Sequence, residues 1–263
     1  MWRGTLHPSH QRVWADDVAQ LLEARIDGNH VHLNNVRNFQ WRSETDYTPQ
    51  WESRTYDLDR LRSADLVLSY WMGPHIAHTL VSFGFDGGER VVFSLEIRKE
   101  RHESFSAVGG FFRQFEQILV AADERDIVRT RSNARGEDVY LYRLQMNQAS
   151  ARALFLEFLN AANELRQKPR FYNTLTSNCT TIVFELARVI APALPMDYRL
   201  LLSGYFARYV YDMHGLTPGY RYDELQALGH INERALASDV SEDDFSMSIR
   251  QGVPGIPANE VNP

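Results

Sequence analysis

The chain has 263 residues, 44% of them hydrophobic and 24% charged, enough apolar material for a substantial core in one or two domains. A net charge of −6 supplies no basic field for nucleic acid, and a single cysteine, Cys179, excludes both an internal disulfide framework and any multi-cysteine metal site. No run of about 20 apolar residues reads as a membrane-crossing helix.

The start, Met1 to His10, lacks the apolar core of a secretory signal, and no periodic pattern begins before Val13 and Trp14. The chain therefore reads as a soluble piece whose upstream signal or anchor is missing. Trp14, Val18, Leu21, Leu22 and Ile26 recur at helical spacing and predict a helical lead-in over 13–27, ended by Asp27-Gly28-Asn29. Residues 31–41 alternate apolar and polar, which predicts a strand with one buried face. Further strands are expected at 54–58, 64–71, 77–85 and 90–98, the last two flanking the hairpin signal Asp86-Gly87-Gly88.

Residues 105–119 read as a short aromatic-rich helix, and 126–131 and 138–144 as two more strands. Three helices follow, at 147–165, from Cys179 to about 190, and at 198–213. With no internal repeat or low-complexity linker, this pattern is one α+β domain over 1–251, its core spanning 30–250. The Pro/Gly-rich residues 252–263 read as a flexible tail.

Cys179 sits where a polar Thr-Ser-Asn cluster runs into an apolar periodic stretch, so it falls in the first turn of a helix. A thiol there feels the positive end of the helix dipole and unpaired backbone N–H groups, which lowers its pKa. A nucleophilic thiol needs a base, a group that orients the base, and donors for an oxyanion. Of the nine histidines, His75 and His78 are the candidate bases.

His78 opens the first hairpin strand. A three-residue loop that pairs Phe85 with Glu89 sets residue 78 opposite Glu96, with Cβ atoms roughly 4.5–5.5 Å apart. A two-residue Gly87-Gly88 turn sets Ile97 there instead. Glu96 shares a face with Val92, Ser94 and Arg98, opposite the apolar face of Val91, Phe93, Leu95 and Ile97, so the Glu96 face is expected to be the less buried one.

Asn178 is either a helix cap or an oxyanion donor. Thr180 extends the helix entrance, and Tyr172 either lines the site or packs the turn. The simpler alternatives are a core cysteine and a surface Glu96 beside Arg98 and Lys99. His75 and His78 are three apart on a strand, which sends their rings to opposite faces, so no metal and no cofactor is expected. The aromatic stretch 204–211, with Phe111, Phe112 and Phe115, either forms an apolar groove or is plain core.

The run Phe171-Tyr-Asn-Thr-Leu-Thr-Ser-Asn-Cys-Thr-Thr181 closely resembles the Asn-Cys-Thr-Thr signature of the Lnb N-terminal periplasmic domain family. His78-Thr-Leu-Val-Ser-Phe-Gly-Phe85, Ser94-Leu-Glu-Ile-Arg-Lys99, Phe111-Phe-Arg-Gln-Phe-Glu116, Asp123-Glu-Arg-Asp126 and Arg135-Gly-Glu-Asp-Val-Tyr-Leu-Tyr142 are similar to that family too. The resemblance covers roughly residues 30–250. It implies an antiparallel sheet packed on helices in a circularly permuted papain-like (NlpC-like) architecture, and lipoprotein N-acylation through a thiol.

The implied partners are a lipoprotein or phospholipid acyl donor and a membrane surface, and the implied location is the periplasm or the periplasmic face of the membrane. The catalytic expectation is Cys179, His78 and Glu96, with Asn178, Thr180 and Tyr172 positioning or stabilising an oxyanion and His75 as a second candidate base. Two alternatives remain, a cysteine peptidase or amidase acting on cell-wall peptides and a non-catalytic envelope interaction module.

Overall fold

The computed structural model describes residues 7–103, 115–173, 178–241 and 244–261. After a 3-10 turn at Asp16–Val18 come strands β1 (Glu23–Asp27) and β2 (His30–Arg37), the small pair β3 (Gln40–Trp41) and β4 (Tyr47–Thr48), and β5 (Trp51–Asp57). The centre of the sheet is β6 (Leu61–Tyr70), β7 (Ala77–Phe85), β8 (Arg90–Arg98) and β9 (Glu116–Ala122). Helix α1 (Glu124–Arg129), a π-helical turn at Thr130–Ala134 and β10 (Asp138–Arg143) follow. The rest is helical: α2 (Gln148–Gln167), α3 (Cys179–Ile190), α4 (Phe206–Asp212), α5 (Tyr222–Gly229), α6 (Asn232–Ser241) and α7 (Phe245–Ser248).

One eight-stranded sheet runs β1-β2-β9-β8-β7-β6-β10, with β5 also on β2, and all its pairings are antiparallel except the short β2–β9 contact. Both faces are covered. Leu66, Leu68, Val81, Phe83, Val91 and Phe93 pack against α2 and α3, where Phe93 stacks on Phe158 at 5.1 Å and Phe155 meets Phe83 edge-on. On the other face Val67, Leu80, Val92, Ile118 and Val120 meet Ile127 and Val128 of α1, Ala235 of α6 and Phe245 of α7. The expectation of a less buried Glu96 face is therefore corrected: its neighbours Val92, Ser94 and Arg98 are buried, Val92 in the cluster with the later helices and Arg98 against Trp14, Val18 and Ala19 of the N-terminal segment.

Several local expectations also change. The helical lead-in is a 3-10 turn followed by β1, because Gly28 at φ 60° closes a tight hairpin that pairs Asp27 with His30 and Glu23 with Asn34. Trp14, Val18 and Leu22 are buried as the spacing implied, but Ile26 is exposed. The ladder with β2 outweighs a few turns of weak intrinsic helix. The strand expected from residue 31 ends at Arg37, and Gln40–Trp41 belongs to a separate pair.

Residues 126–131 are helical rather than extended. Asp123 caps α1 by accepting the Arg125 N–H, and Asp126 is drawn inside by Arg37, the Phe39 N–H and the Trp41 indole. The described end of the expected helix 105–119 is strand β9, while Phe111 and Phe112 lie outside the described residues. The helix expected over 198–213 is broken into two 3-10 turns and α4. The interruption falls at Leu201 and Leu202, and Gly204, within the second turn, presses its backbone on Pro74 and His75 so closely that a Cβ would overlap them.

The described part of the expected tail, residues 252–261, packs on the domain. Val253 is buried, and Glu260 binds Arg90 at 2.8 Å and Arg143 at 2.7 Å. These contacts join a buried ionic cluster in which Arg250, 0% exposed, donates to Asp65 at 2.8 Å and also to Glu124.

Candidate functional site

Helix α3 begins at Cys179 because Asn178 caps it. The Asn178 side-chain oxygen accepts the N–H groups of Thr180 at 2.9 Å and Thr181 at 2.8 Å, and the Thr181 hydroxyl accepts the Asn178 N–H at 2.8 Å. The amide oxygen of Asn178 is thus a cap. Asn178→Ala is expected to cost about 1 kcal/mol of stability, read as a lowered thermal midpoint with the rest of the fold unchanged. Thr180 is buried and shares a 2.8 Å hydrogen bond with Thr79 of β7, which bolts the helix start to the sheet. Residues 174–177 of the polar run lie outside the described residues.

The three-residue loop is the one found. Phe85 donates to the Glu89 carbonyl at 2.9 Å, and the ladder runs from Gly84↔Arg90 to Leu80↔Ser94. There β7 and β8 part, although β7 stays with β6 as far as Ala77↔Tyr70 and β8 stays with β9 as far as Arg98↔Glu116. His78 and Glu96 face each other across this opening, with His78 Nε2 3.2 Å from Glu96 Oε1. The Cys179 thiol, arriving with α3, is in hydrogen-bond contact with the His78 ring and accepts the Thr79 N–H. Nε2 is committed to the β8 side, which leaves the other ring nitrogen for the sulfur.

Two residues of this cluster were missed in the sequence. Ser94 lies 2.6 Å from His78 Nε2 and donates to Glu96 at 2.7 Å. Arg131, from the π-helical turn, donates to Glu96 at 2.9 Å. The period-2 pattern already put Ser94 beside Glu96, so that signal was available. Arg131 lay in a segment read as a strand.

Charge follows from this geometry. Burial and Arg131 push the His78 imidazolium pKa down, but Glu96 and Cys179 outweigh them and hold it up at about 9. Burial opposes ionisation of Glu96 and of Cys179, yet His78 and Arg131 hold the carboxyl well below its ordinary range, and His78 with the Thr79 N–H lowers the thiol. The cluster therefore favours a thiolate–imidazolium pair backed by a carboxylate. Cys179 is 6% exposed, and the side chains of His78 and Glu96 are 13% and 20% exposed.

Tyr172 stands beside this pair. Its hydroxyl meets the Cys179 backbone N–H and the sulfur, and burial with the nearby thiolate pushes its pKa up, so it stays a neutral donor. His75 is turned away, exposed, with Nδ1 2.6 Å from the Tyr205 hydroxyl. Among the described residues no group of three His, Cys, Asp or Glu side chains could hold a metal ion.

Phe115, Phe206 and Tyr209 are buried core residues, so they do not line an apolar groove. A cavity of about 490 Å³ lies at the far end of the hairpin, lined by charged groups including Arg54, Arg90, Glu124 and Asp244, and is not part of the thiol site.

This is a mixed α/β domain, built on a large, mostly antiparallel sheet, in which a lone helix-start cysteine meets a histidine and a glutamate. The chain belongs to the Lnb N-terminal periplasmic domain family, whose model matches residues 47–204, more than half of its length. No curated protein and no solved structure matches it. The family is one of periplasmic domains, and no helix of the described residues is long and apolar enough to cross a membrane.

Proposed function

We propose that the domain is a cysteine-dependent acyltransferase or acyl hydrolase of the cell envelope, acting on a lipoprotein or phospholipid ester. The observation that carries this reading is the Cys179 thiol in contact with His78, itself backed by Glu96. Cys179 attacks the ester carbonyl and forms a thioester, and His78 gives its proton to the departing alcohol oxygen. An amine acceptor, deprotonated by His78, then takes the acyl group in N-acylation, or water takes it in hydrolysis.

In the resting site the Cys179 N–H and the sulfur are both engaged by the Tyr172 hydroxyl; in this scheme the N–H and the phenol turn from each other to the oxyanion, one such donor being typically worth about 3 kcal/mol. Asn178 and Thr180 act at one remove by fixing the helix start on β7. The histidine strand precedes the cysteine helix in the chain, which supports reading the architecture as circularly permuted papain-like. The working location is the periplasmic face of a membrane, where acyl donors reside.

The test is incubation with a diacylated lipopeptide or a phospholipid, followed by intact-mass and peptide mass spectrometry. An acyl mass on Cys179 is the expected result. A thiol that stays unmodified while cell-wall peptides are cleaved would point to a peptidase or amidase. A thiol that iodoacetamide modifies only at alkaline pH would point to a non-catalytic module.

A further inference from the structure

We propose that Arg131 is a positioning residue of the thiol site, clamping Glu96 against His78 from a π-helical turn and tying that carboxylate through Glu137 to the neighbouring strand. The inference rests on the thiol–imidazole reading above and adds a residue to it. A π-helical turn is rare and tends to occur where a side chain has been re-aimed. Here Thr130–Ala134 continues α1 and carries Arg131 beneath the sheet, 8% exposed.

Its two terminal nitrogens are divided, Nη2 at 2.9 Å from Glu96 and Nη1 at 3.4 Å from Glu137. Its Nε–H is buried with no hydrogen-bond partner, so the guanidinium gives up one donor to keep this two-carboxylate geometry. Glu137 is held by the Ser69 hydroxyl, and Ser69 of β6 is paired directly with His78 of β7. Arg135 lies 3.6 Å from Glu137 at the outer end.

The charged groups form a row of alternating sign when the thiol is ionised: Cys179, His78, Glu96, Arg131, Glu137, Arg135. The groups facing His78 are Glu96 and Ser94 from β8, Arg131 and Glu137 from beyond β6, and Cys179 with the nearby Tyr172 phenol. Arg131 is the member that stops Glu96 from over-stabilising the imidazolium. It lowers the His78 pKa while Glu96 raises it. A purely structural strut between two carboxylates would hold the fold without setting the titration of the ring.

The test is the pH profile of Cys179 alkylation by iodoacetamide in the full chain, with thermal melts to establish folding. Wild type should show two inflections, an acidic one for the thiol and one near 9 for His78. Arg131→Met removes the opposing cation and should move the upper inflection up by roughly one unit. Glu137→Gln leaves Arg131 less neutralised and should move it down. Arg131→Lys keeps the charge and should stay near wild type.

Folded Arg131→Met or Glu137→Gln protein with an unmoved inflection would overturn the proposal; if Arg131→Met does not fold, the downward shift in Glu137→Gln decides it. A wild-type thiol that reacts only at alkaline pH, with one inflection, would instead remove the thiol–imidazole reading and this inference with it.

Discussion

Cys179→Ala is expected to remove acyl transfer completely and leave the domain folded. Alanine is well tolerated in a helix and smaller than cysteine, and the Asn178 cap and the Thr79–Thr180 bond do not involve the sulfur. His78→Ala should lower the acylation rate by about 10³-fold, the order contributed by a positioned general acid–base group. It should also fold, because Glu96 keeps Arg131 and Ser94 as partners and no buried charge is abandoned. Full activity in either variant, with thermal midpoints near wild type, would end the assignment of nucleophile and base.

The pH dependence of that activity has a defined sign. The imidazolium is held up to about 9, so the rate should fall on the alkaline side near pH 9 as His78 loses its proton and the departing alcohol its acid. Glu96→Gln should cost less than either substitution above, since Ser94 still holds Nε2. It should also draw the alkaline limb down toward the ordinary imidazole range, because the larger of the two charges that raise the His78 pKa is gone and only Cys179 remains to raise it.

The meeting of ring and carboxylate was one of two registers legible in the sequence, the other setting Ile97 opposite His78, and the hairpin loop decides between them for a physical reason. A three-residue hairpin loop fixes register, and register with period-2 alternation fixes which side chains share a face. The start of α3 was legible for a similar reason: Asn-Cys-Thr-Thr carries its own capping chemistry and depends little on the rest of the fold. The lead-in was not, because Trp14, Val18 and Leu22 keep helical spacing while a ladder formed with residues 30–34 decides the backbone. Local spacing cannot report a partner strand.

Helix α1 was misread because Ile127 and Val128 look extended, while the decisive group is Asp126, whose four hydrogen bonds go to Arg37, Phe39 and Trp41. Arg131 was lost with it. The later helices α5, α6 and α7 were not anticipated at all, being short and anchored by tertiary contacts, α5 on β10 and the other two on each other, on the π-helical turn and on α1. Their arrival buries part of the face that was expected to lie nearer to solvent.

Those late helices depend on one charge inside the sheet, and its removal should be the most damaging single substitution for stability. Asp65 is fully buried and faces Arg143 at 2.6 Å, Arg250 at 2.8 Å and Arg90 at 3.6 Å. Burial alone would raise its pKa, but the three guanidiniums overcome that and bring it from 3.8 down to about 2. Asp65→Asn keeps the shape and leaves these cations short of one counter-charge, a change of about 3–5 kcal/mol by analogy with other broken buried pairs. Urea unfolding should show it as a lowered midpoint with little change in slope.

The same carboxylate gives stability an acid limb. Its folded pKa lies below the unfolded value, so its contribution of roughly 2 kcal/mol is fully present above about pH 4. That contribution drains away as pH falls through 2, and the Asp65→Asn protein should lack this component of the acid limb. Arg250→Met should be destabilised as well, because buried Glu124 then loses its guanidinium partner and keeps only the neutral Ser82 and Ser246 hydroxyls and the more distant charge of Arg90, while Asp65 retains Arg143 and Arg90. An Asp65→Asn protein within 1 kcal/mol of wild type would mean that the guanidiniums are adequately served by Glu124 and Glu260, and that the last three helices are held by apolar contacts alone.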